Sequence, residues 1–268
     1  MTAPTLVILS PGSSQSRVVE SMHLLRKRLQ IVRPELSVQL AFLTESAPTG
    51  AQVAASISGR GVREAVFVPL NLTHAMDAGE PARSMILNIR KAHPQLAISL
   101  ARPIGPAADL LNVLDLRLRT ALSQARVTEL DGLVLACPDS GDVRGSALLQ
   151  RRGRQWSAHH HLPVTLAFAD AAGYGVASAI RSLRDQGRRS IAVGSLFLNA
   201  DDAYLRMVDD ALHASAIAVG APLGEDDRVL DLVMARYSYA AMDLLDVADT
   251  EASAAWADPG PGATIIAM

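Results

Sequence analysis

The residues best equipped for chemistry sit in one loop, Pro69-Leu70-Asn71-Leu72-Thr73-His74-Ala75-Met76-Asp77-Ala78-Gly79-Glu80-Pro81, which brings an imidazole and two carboxylates within seven positions. A neutral histidine is both a base near neutral pH and a ligand for borderline divalent metals, and nearby carboxylates complete such a set. His74 with Glu80 is therefore a candidate acid-base pair, and His74 with Asp77 a candidate metal site. The competing reading makes Asp77 or Glu80 the cap of the following helix, with His74 facing solvent. Two further loops, Ser10-Pro11-Gly12-Ser13-Ser14 and Cys137-Pro138-Asp139-Ser140, pass from a strand into a helix. There Ser10, Gly12, Ser13 and Ser14 could hold an anion on unsatisfied backbone donors and the helix dipole, or form an ordinary capped turn. Neither a GxGxxG nor a GxxxxGK[ST] pattern occurs, so a nucleotide substrate has little support. A Ser13, His74, Asp77 triad lacks a GxSxG elbow. His159-His160-His161 precedes a strand and is expected as a solvated turn with incidental metal affinity, at the edge opposite the functional loops.

The elements that position these loops come in two copies. Val38-Gln39-Leu40-Ala41-Phe42 returns as Val164-Thr165-Leu166-Ala167-Phe168, and the same offset of 126 pairs Gly61 with Gly187, Arg63 with Arg189, Leu70 with Leu196 and Leu72 with Leu198. A repeat of that length is a small domain rather than a solenoid module. Short apolar runs alternate with helical periodicity, the βαβ pattern of a parallel sheet covered on both faces. Strands are expected near 5–10, 37–42, 65–70 and 96–101, with second-half partners near 132–137, 163–168, 190–197 and 216–221. Helices are expected over 15–31 and 81–93, and the long helices 107–124 and 226–245 are expected to close their own halves. The fold class is α/β: two tandem three-layer α/β/α, Rossmann-like domains, each with a mainly four-stranded parallel sheet, at 1–126 and 127–246, followed by an irregular tail at 247–268. Right-handed crossovers place loops 10–15, 71–80, 137–143 and 198–203 at one edge, and a site shared by both halves is the default place for function.

Composition bounds the function classes. The chain has 268 residues, 49% hydrophobic, with one cysteine, Cys137, so neither an intramolecular disulfide nor a thiolate metal cluster can form. No apolar run reaches membrane-spanning length, and Met1-Thr2-Ala3-Pro4 lacks a signal-peptide start, so a cytoplasmic protein without membrane partners is expected. The net charge of -2 divides as +6 for residues 1–126 and -8 for the rest. That split suits either packing of the halves or attraction of an acidic ligand to the first half. Scattered basic residues and few aromatics give no nucleic-acid surface.

Taken together, over residues 4 to 245, the motifs resemble the sirohydrochlorin chelatases, class II cobalt or iron chelatases of siroheme and cobalamin synthesis. Gly12-Ser13, Pro69-Leu70-Asn71-Leu72 and Arg102-Pro103-Ile104-Gly105 match that family's order of motifs, as do Ser195-Leu196-Phe197-Leu198 and Ala221-Pro222-Leu223-Gly224 in the second copy. The resemblance implies chelatase-like domains and an enzyme inserting a divalent metal, Co²⁺ or Fe²⁺, taken as substrate, into a polycarboxylated tetrapyrrole, with no organic cofactor, as a monomer or homodimer. It implies that Ser13, Ser14, the loop amides and Arg17 hold ring carboxylates, and that His74 with Glu80 manages metal and protons. Where the family carries its first catalytic histidine, this chain has Pro11 and, in the second copy, Pro138. His74, or a few residues on Asp77, takes the place of the second. The alternative expectation is a degenerate relative that binds a tetrapyrrole, a metal or a pathway partner without chelatase activity. A third is a Rossmann-like enzyme acting on a nucleotide or phosphate.

Overall fold

The computed structural model describes residues 3–169 and 175–257, with side chains described through Leu244. The first half runs β1 (Thr5–Ser10), α1 (Ser16–Val32), β2 (Val38–Phe42), α2 (Gly50–Gly59), β3 (Glu64–Pro69), α3 (Glu80–Ala92), β4 (Ala97–Leu100) and α4 (Leu110–Gln124). The second runs β5 (Gly132–Cys137), α5 (Val143–His160), β6 (Val164–Phe168), α6 (Val176–Asp185), β7 (Ile191–Ser195), α7 (Asp202–His213), β8 (Ala218–Val219) and α8 (Asp227–Ala257). Each half forms a four-stranded parallel sheet, ordered β2-β1-β3-β4 and β6-β5-β7-β8. The expected doubling is present, down to register: Leu6 pairs with Val38 as Leu133 pairs with Val164.

Period-two alternation along the strands decides which core each side chain joins. Leu6 and Ile8 of β1, with Leu133 and Leu135 of β5, enter one continuous core between the sheets. Val7 and Leu9 turn to the other face, beneath α2 and α3, and Val134 and Ala136 turn beneath α6 and α7. The middle layer of α1, α4, α5 and α8 is therefore common to both halves.

Within that layer the long helices are exchanged, which corrects the expectation that each closes its own half. Helix α4 packs on β7 and β8, and α8 packs on β3 and β4. Reciprocal bonds secure the exchange: Arg236 Nε of α8 donates to Pro103 O at 2.8 Å, and Arg117 Nη2 of α4 donates to Leu223 O at 3.0 Å. The two helices occupy the same place in the repeat and bury matching stripes, Leu110, Leu114 and Leu118 in α4 and Val229, Val233 and Tyr237 in α8. Gly194 of β7 permits the close approach, since a Cβ there would collide with Leu114 of α4 and Trp156 of α5.

Other expectations shift at their edges. Helices α2, α5, α6 and α7 were not placed from the sequence, and β8 is two residues rather than six. Helix α8 continues through Ala257, past the expected start of an irregular tail at 247, because Glu251 to Ala257 contains strong helix formers and the first breaker is Pro259. The remainder of that tail, 258–268, lies outside the described residues. Among the described residues no helix is long and apolar enough to cross a membrane.

Candidate functional site

The carboxyl edges of both sheets converge on a cleft of about 270 Å³, lined by the loops after β1, β3, β5 and β7 and by Glu45 of the loop after β2. Equivalent loops from the two halves thus build one site, as open α/β sheets favour. Ser10, Gly12, Ser13 and Ser14 line it, together with Pro11, Asn71, Thr73, Pro138, Asp139 and Asn199. Its ionisable lining is Glu45, Asp139, Asp201 and Asp202, with no basic side chain among the described lining residues. The local field therefore favours a cation, whatever the charge of each half as a whole.

The loop after β1 already uses several of the donors expected to meet an anion. Ser13 N donates to Ser46 Oγ at 3.1 Å, the Ser46 hydroxyl donates to Ser13 O at 2.7 Å, and Gln15 N donates to Ser13 Oγ at 3.1 Å. Arg17 is exposed, donates from Nε to Gln15 Oε1 at 2.8 Å, and does not line the cleft.

The loop after β3 divides its three candidates. Thr73 is buried, and its hydroxyl donates to Asp139 Oδ1 while lying 3.3 Å from His74 Nδ1. One hydroxyl proton serves one acceptor, so the imidazole contact is Nδ1–H donating to Thr73, which leaves the Nε2 lone pair for a metal or proton. His74 Nδ1 is 3.8 Å from Asp139 Oδ1, and the histidine side chain is 26% exposed, at the margin of the cleft rather than in its lining. Asp77 and Glu80 are occupied elsewhere. Asp77 accepts from Gly79 N at 2.9 Å and from Arg83 Nη1 at 2.6 Å, and Glu80 accepts from Arg83 Nη2 at 3.0 Å and Ser84 Oγ at 2.6 Å. Ser84 first, then Arg83, hold the Glu80 carboxyl below its usual range. These two acids form an ion cluster at the start of α3, and neither lines the cleft.

A residue that the sequence did not single out joins the halves at this point. Asp142 caps α5, its Oδ1 accepting from Gly145 N at 2.6 Å, while its Oδ2 accepts from Ala75 N at 3.2 Å, Met76 N at 2.8 Å and Asp77 N at 3.0 Å. Partial burial pulls its pKa upward, but the backbone donors of Met76, Gly145, Asp77 and Ala75 outweigh that and hold the carboxyl at about 2. The His74 loop is thereby strapped to the second half. Gly141, at a φ of 72°, packs against the Thr73 carbonyl on the same seam. Once α5 starts at Val143, Asp142 is a readable N-cap; its grip on a loop some 65 residues away has no local signal.

On the second half, Asp139 also accepts from Gly141 N at 2.8 Å, and Asn199 Oδ1 accepts from Ser21 Oγ at 2.8 Å. Asp201 caps α7 through Tyr204 N at 2.8 Å, and Asp202 pairs with Gln15 Nε2. Glu45, also missed from sequence, lines the cleft with a φ of 57° and makes no hydrogen bond among the described residues. Asn71 Oδ1 is buried without a partner at the same cleft. Cys137 is fully buried at the end of β5, where burial and then the Asp139 charge push its thiol far up, so it supplies no nucleophile.

The three histidines need correction. His159 and His160 belong to the last turn of α5, and only His161, the left-handed C-cap, lies beyond it. His160 Nε2 lies 2.8 Å from Asp115 Oδ1, which also accepts from Trp156 Nε1 at 2.6 Å, and His159 Nε2 lies 3.7 Å from Asp115 Oδ2. Asp115 reaches them because α4 crosses to the second sheet, a pairing that local sequence cannot reveal.

Residues 5–121 match the family model described as CbiX. Comparison with curated proteins gives no match. Among solved structures, SirB from Bacillus subtilis with Fe³⁺ is 15% identical over 89% of this chain and 96% of that one, with a TM-score of 0.72. The sirohydrochlorin chelatase SirB from Bacillus subtilis subspecies spizizenii in complex with cobalt is 13% identical over 90% and 96%, with a TM-score of 0.73. CbiX, the terminal enzyme for biosynthesis of siroheme in denitrifying bacteria, is 21% identical over 88% and 99%, with a TM-score of 0.58. At these identities the likeness is one of fold, over nearly the whole chain.

Proposed function

We propose, from the match of residues 5–121 to the CbiX family model, that this protein brings a divalent metal ion, Co²⁺ or Fe²⁺, to a polycarboxylated tetrapyrrole at the shared rim and promotes its insertion. The observation that carries the reading is the cleft itself: loops of both halves enclose four carboxylates, Glu45 from the first half and Asp139, Asp201 and Asp202 from the second, with an imidazole at the margin. Insertion requires a hydrated cation to be drawn in, two pyrrole protons to leave, and the ring to be held meanwhile. Glu45 and Asp139 attract the cation and accept protons, and His74 Nε2 offers a further lone pair. At about 270 Å³ the cleft is just below the roughly 300–1,000 Å³ of sites that engulf drug-sized ligands, so the ring lies across the mouth. Its carboxylates then turn away from the acidic floor, toward the outer rim that carries Ser14 and Arg17. Asp77 and Glu80, bound to Arg83, set the course of the loop rather than meet the metal.

The test is sirohydrochlorin with either ion, followed by absorbance above the spontaneous rate. Wild-type protein accelerates the change, and Asp139→Asn or His74→Ala lowers the acceleration by about 10²-fold, the low end for a lost acid-base group. No acceleration by wild-type protein with either ion removes the enzyme reading. A second reading is favoured by Pro11 and Pro138, which both line the cleft and offer neither base nor ligand where the family pattern implies histidine. It makes the chain a tetrapyrrole- or metal-binding relative without turnover. Ring binding by fluorescence quenching that ignores His74→Ala, with no insertion, would select it.

A further inference from the structure

On the other side of the His74 loop lies a second cavity, of about 240 Å³, walled by Ala75 and Met76, the 102–107 loop after β4, the N-terminal half of α5, and α8. Four arginines line it, Arg102, Arg144, Arg152 and Arg236, and no aspartate or glutamate is among its lining residues. Two of the four are held by the backbone. Arg152 Nε donates to Pro106 O at 2.8 Å with Nη1 on Gln155 Oε1 at 2.7 Å, and Arg236 Nε donates to Pro103 O at 2.8 Å. Arg236 Nη2 also reaches Ile104 O at 3.5 Å, so Nε anchoring fixes each planar fork and leaves Nη2 of Arg152 and Nη1 of Arg236 without a partner among the described residues. Arg102 and Arg144 are exposed and make no hydrogen bond or ion pair among the described residues. Burial and then the neighbouring Arg102 charge lower the pKa of Arg236, and burial and then Arg151 lower that of Arg152, as crowded like charges require. The acid that acts on Arg152 is Asp109, at the N-cap of α4, outside the cavity lining.

The duplicated fold supplies an internal control. Around the matching loop of the second half, Arg117 Nη2 donates to Leu223 O as Arg236 Nη2 does to Ile104 O. There, however, Pro106 and Ala107 are replaced by Glu225 and Asp226, and Arg28 is paired with Asp227 at 2.6 Å. The second loop thus carries acids beside its arginines, whereas the arginine-lined cavity has none in its lining.

We propose that this cavity is a binding site for a compact polyvalent oxyanion, a small polycarboxylate or phosphate, taken up between the guanidinium forks behind the His74 loop. Charge-assisted, bidentate contacts are what such forks make best, and a small anion fits within about 240 Å³. The site stands independently of metal insertion, since none of its lining residues belongs to the acidic cleft.

Calorimetric titration of the full chain at low ionic strength, with tricarballylate and with pyrophosphate as separate probes and chloride as control, tests it. Saturable one-to-one binding of at least one probe is expected, weakened ten-fold or more in Arg102→Gln/Arg144→Gln and unchanged in Asp139→Asn. Whichever probe binds more tightly distinguishes carboxylate from phosphate. Absence of saturable binding by both probes at millimolar concentration overturns the proposal, as does binding that ignores the double substitution or is lost in Asp139→Asn. Each single arginine substitution is measured as well, so that the result does not hang on the folding of the double variant.

Discussion

Replacing Asp142 should cost more than an N-cap, because one carboxylate holds both the start of α5 and the loop bearing His74. Loss of the bond from Gly145 N is worth about 1 kcal/mol, the usual value for a cap. The donors at Ala75, Met76 and Asp77 add about 0.5–1.5 kcal/mol each before solvent is considered. Water reaches this partly exposed carboxylate and replaces some of what is lost, so about 2–3 kcal/mol is expected for Asp142→Ala. For a chain of this size that is a fall of about 4–12 °C in melting temperature. Asp142→Asn is the sharper test. Asparagine caps helices as well as aspartate does, but Oδ1 and Oδ2 are both acceptors here, and an amide has one acceptor only. Whichever way it turns, either Gly145 or the three loop donors meet an NH₂ group, so Asp142→Asn should also destabilise and should speed hydrogen exchange at residues 75–77. The pH dependence follows the same logic. Since the carboxyl titrates at about 2, below its ordinary 3.8, its stabilisation is complete above about pH 4 and drains away as pH falls toward 2. Wild-type stability should slope over that range and the slope should shrink in Asp142→Asn. Denaturant melts and amide exchange across pH measure both. An Asp142→Asn protein with wild-type stability and unchanged protection at 75–77 would refute the strap.

Two further outcomes follow from the packing. Gly141→Ala places a Cβ against the Thr73 carbonyl in a left-handed backbone, so it should destabilise by about 1–3 kcal/mol in a chemical melt and loosen the Thr73 to Asp139 bond beside the cleft; a neutral result would mean the seam gives way easily. The isolated segment 1–126 should not melt cooperatively as a monomer, because β3 and β4 lose their α8 cover and α4 loses β7 and β8. A cooperative, monomeric melt by circular dichroism and sedimentation would count against the helix exchange.

Much of the fold was legible in residue order, since an offset of 126 and apolar runs of strand length follow from local chemistry that each half repeats. Helices α2 and α6 have ten residues each, under three turns, although α6 buries Val176, Ala179, Ile180 and Leu183 at helical spacing, and in α5 glycines, arginines and histidines dilute the helical period. The cleft loops were placed on the correct edge, since strand-to-helix crossovers have one hand, and Ser10, Gly12, Ser13 and Ser14 do line it.

What residue order alone determined is therefore a doubled unit, its strands, and the edge where loops gather. Which sheet each long helix covers was decided only in three dimensions, because α4 and α8 carry equivalent apolar stripes and the choice rests on contacts more than a hundred residues apart. A separation of about 65 residues likewise hid the bonds from Thr73 to Asp139 and from residues 75–77 to Asp142, and with them the division between an acidic cleft and an arginine-lined one. Charge counted along the chain says how much of each sign is present; folding alone sets which charges face one another.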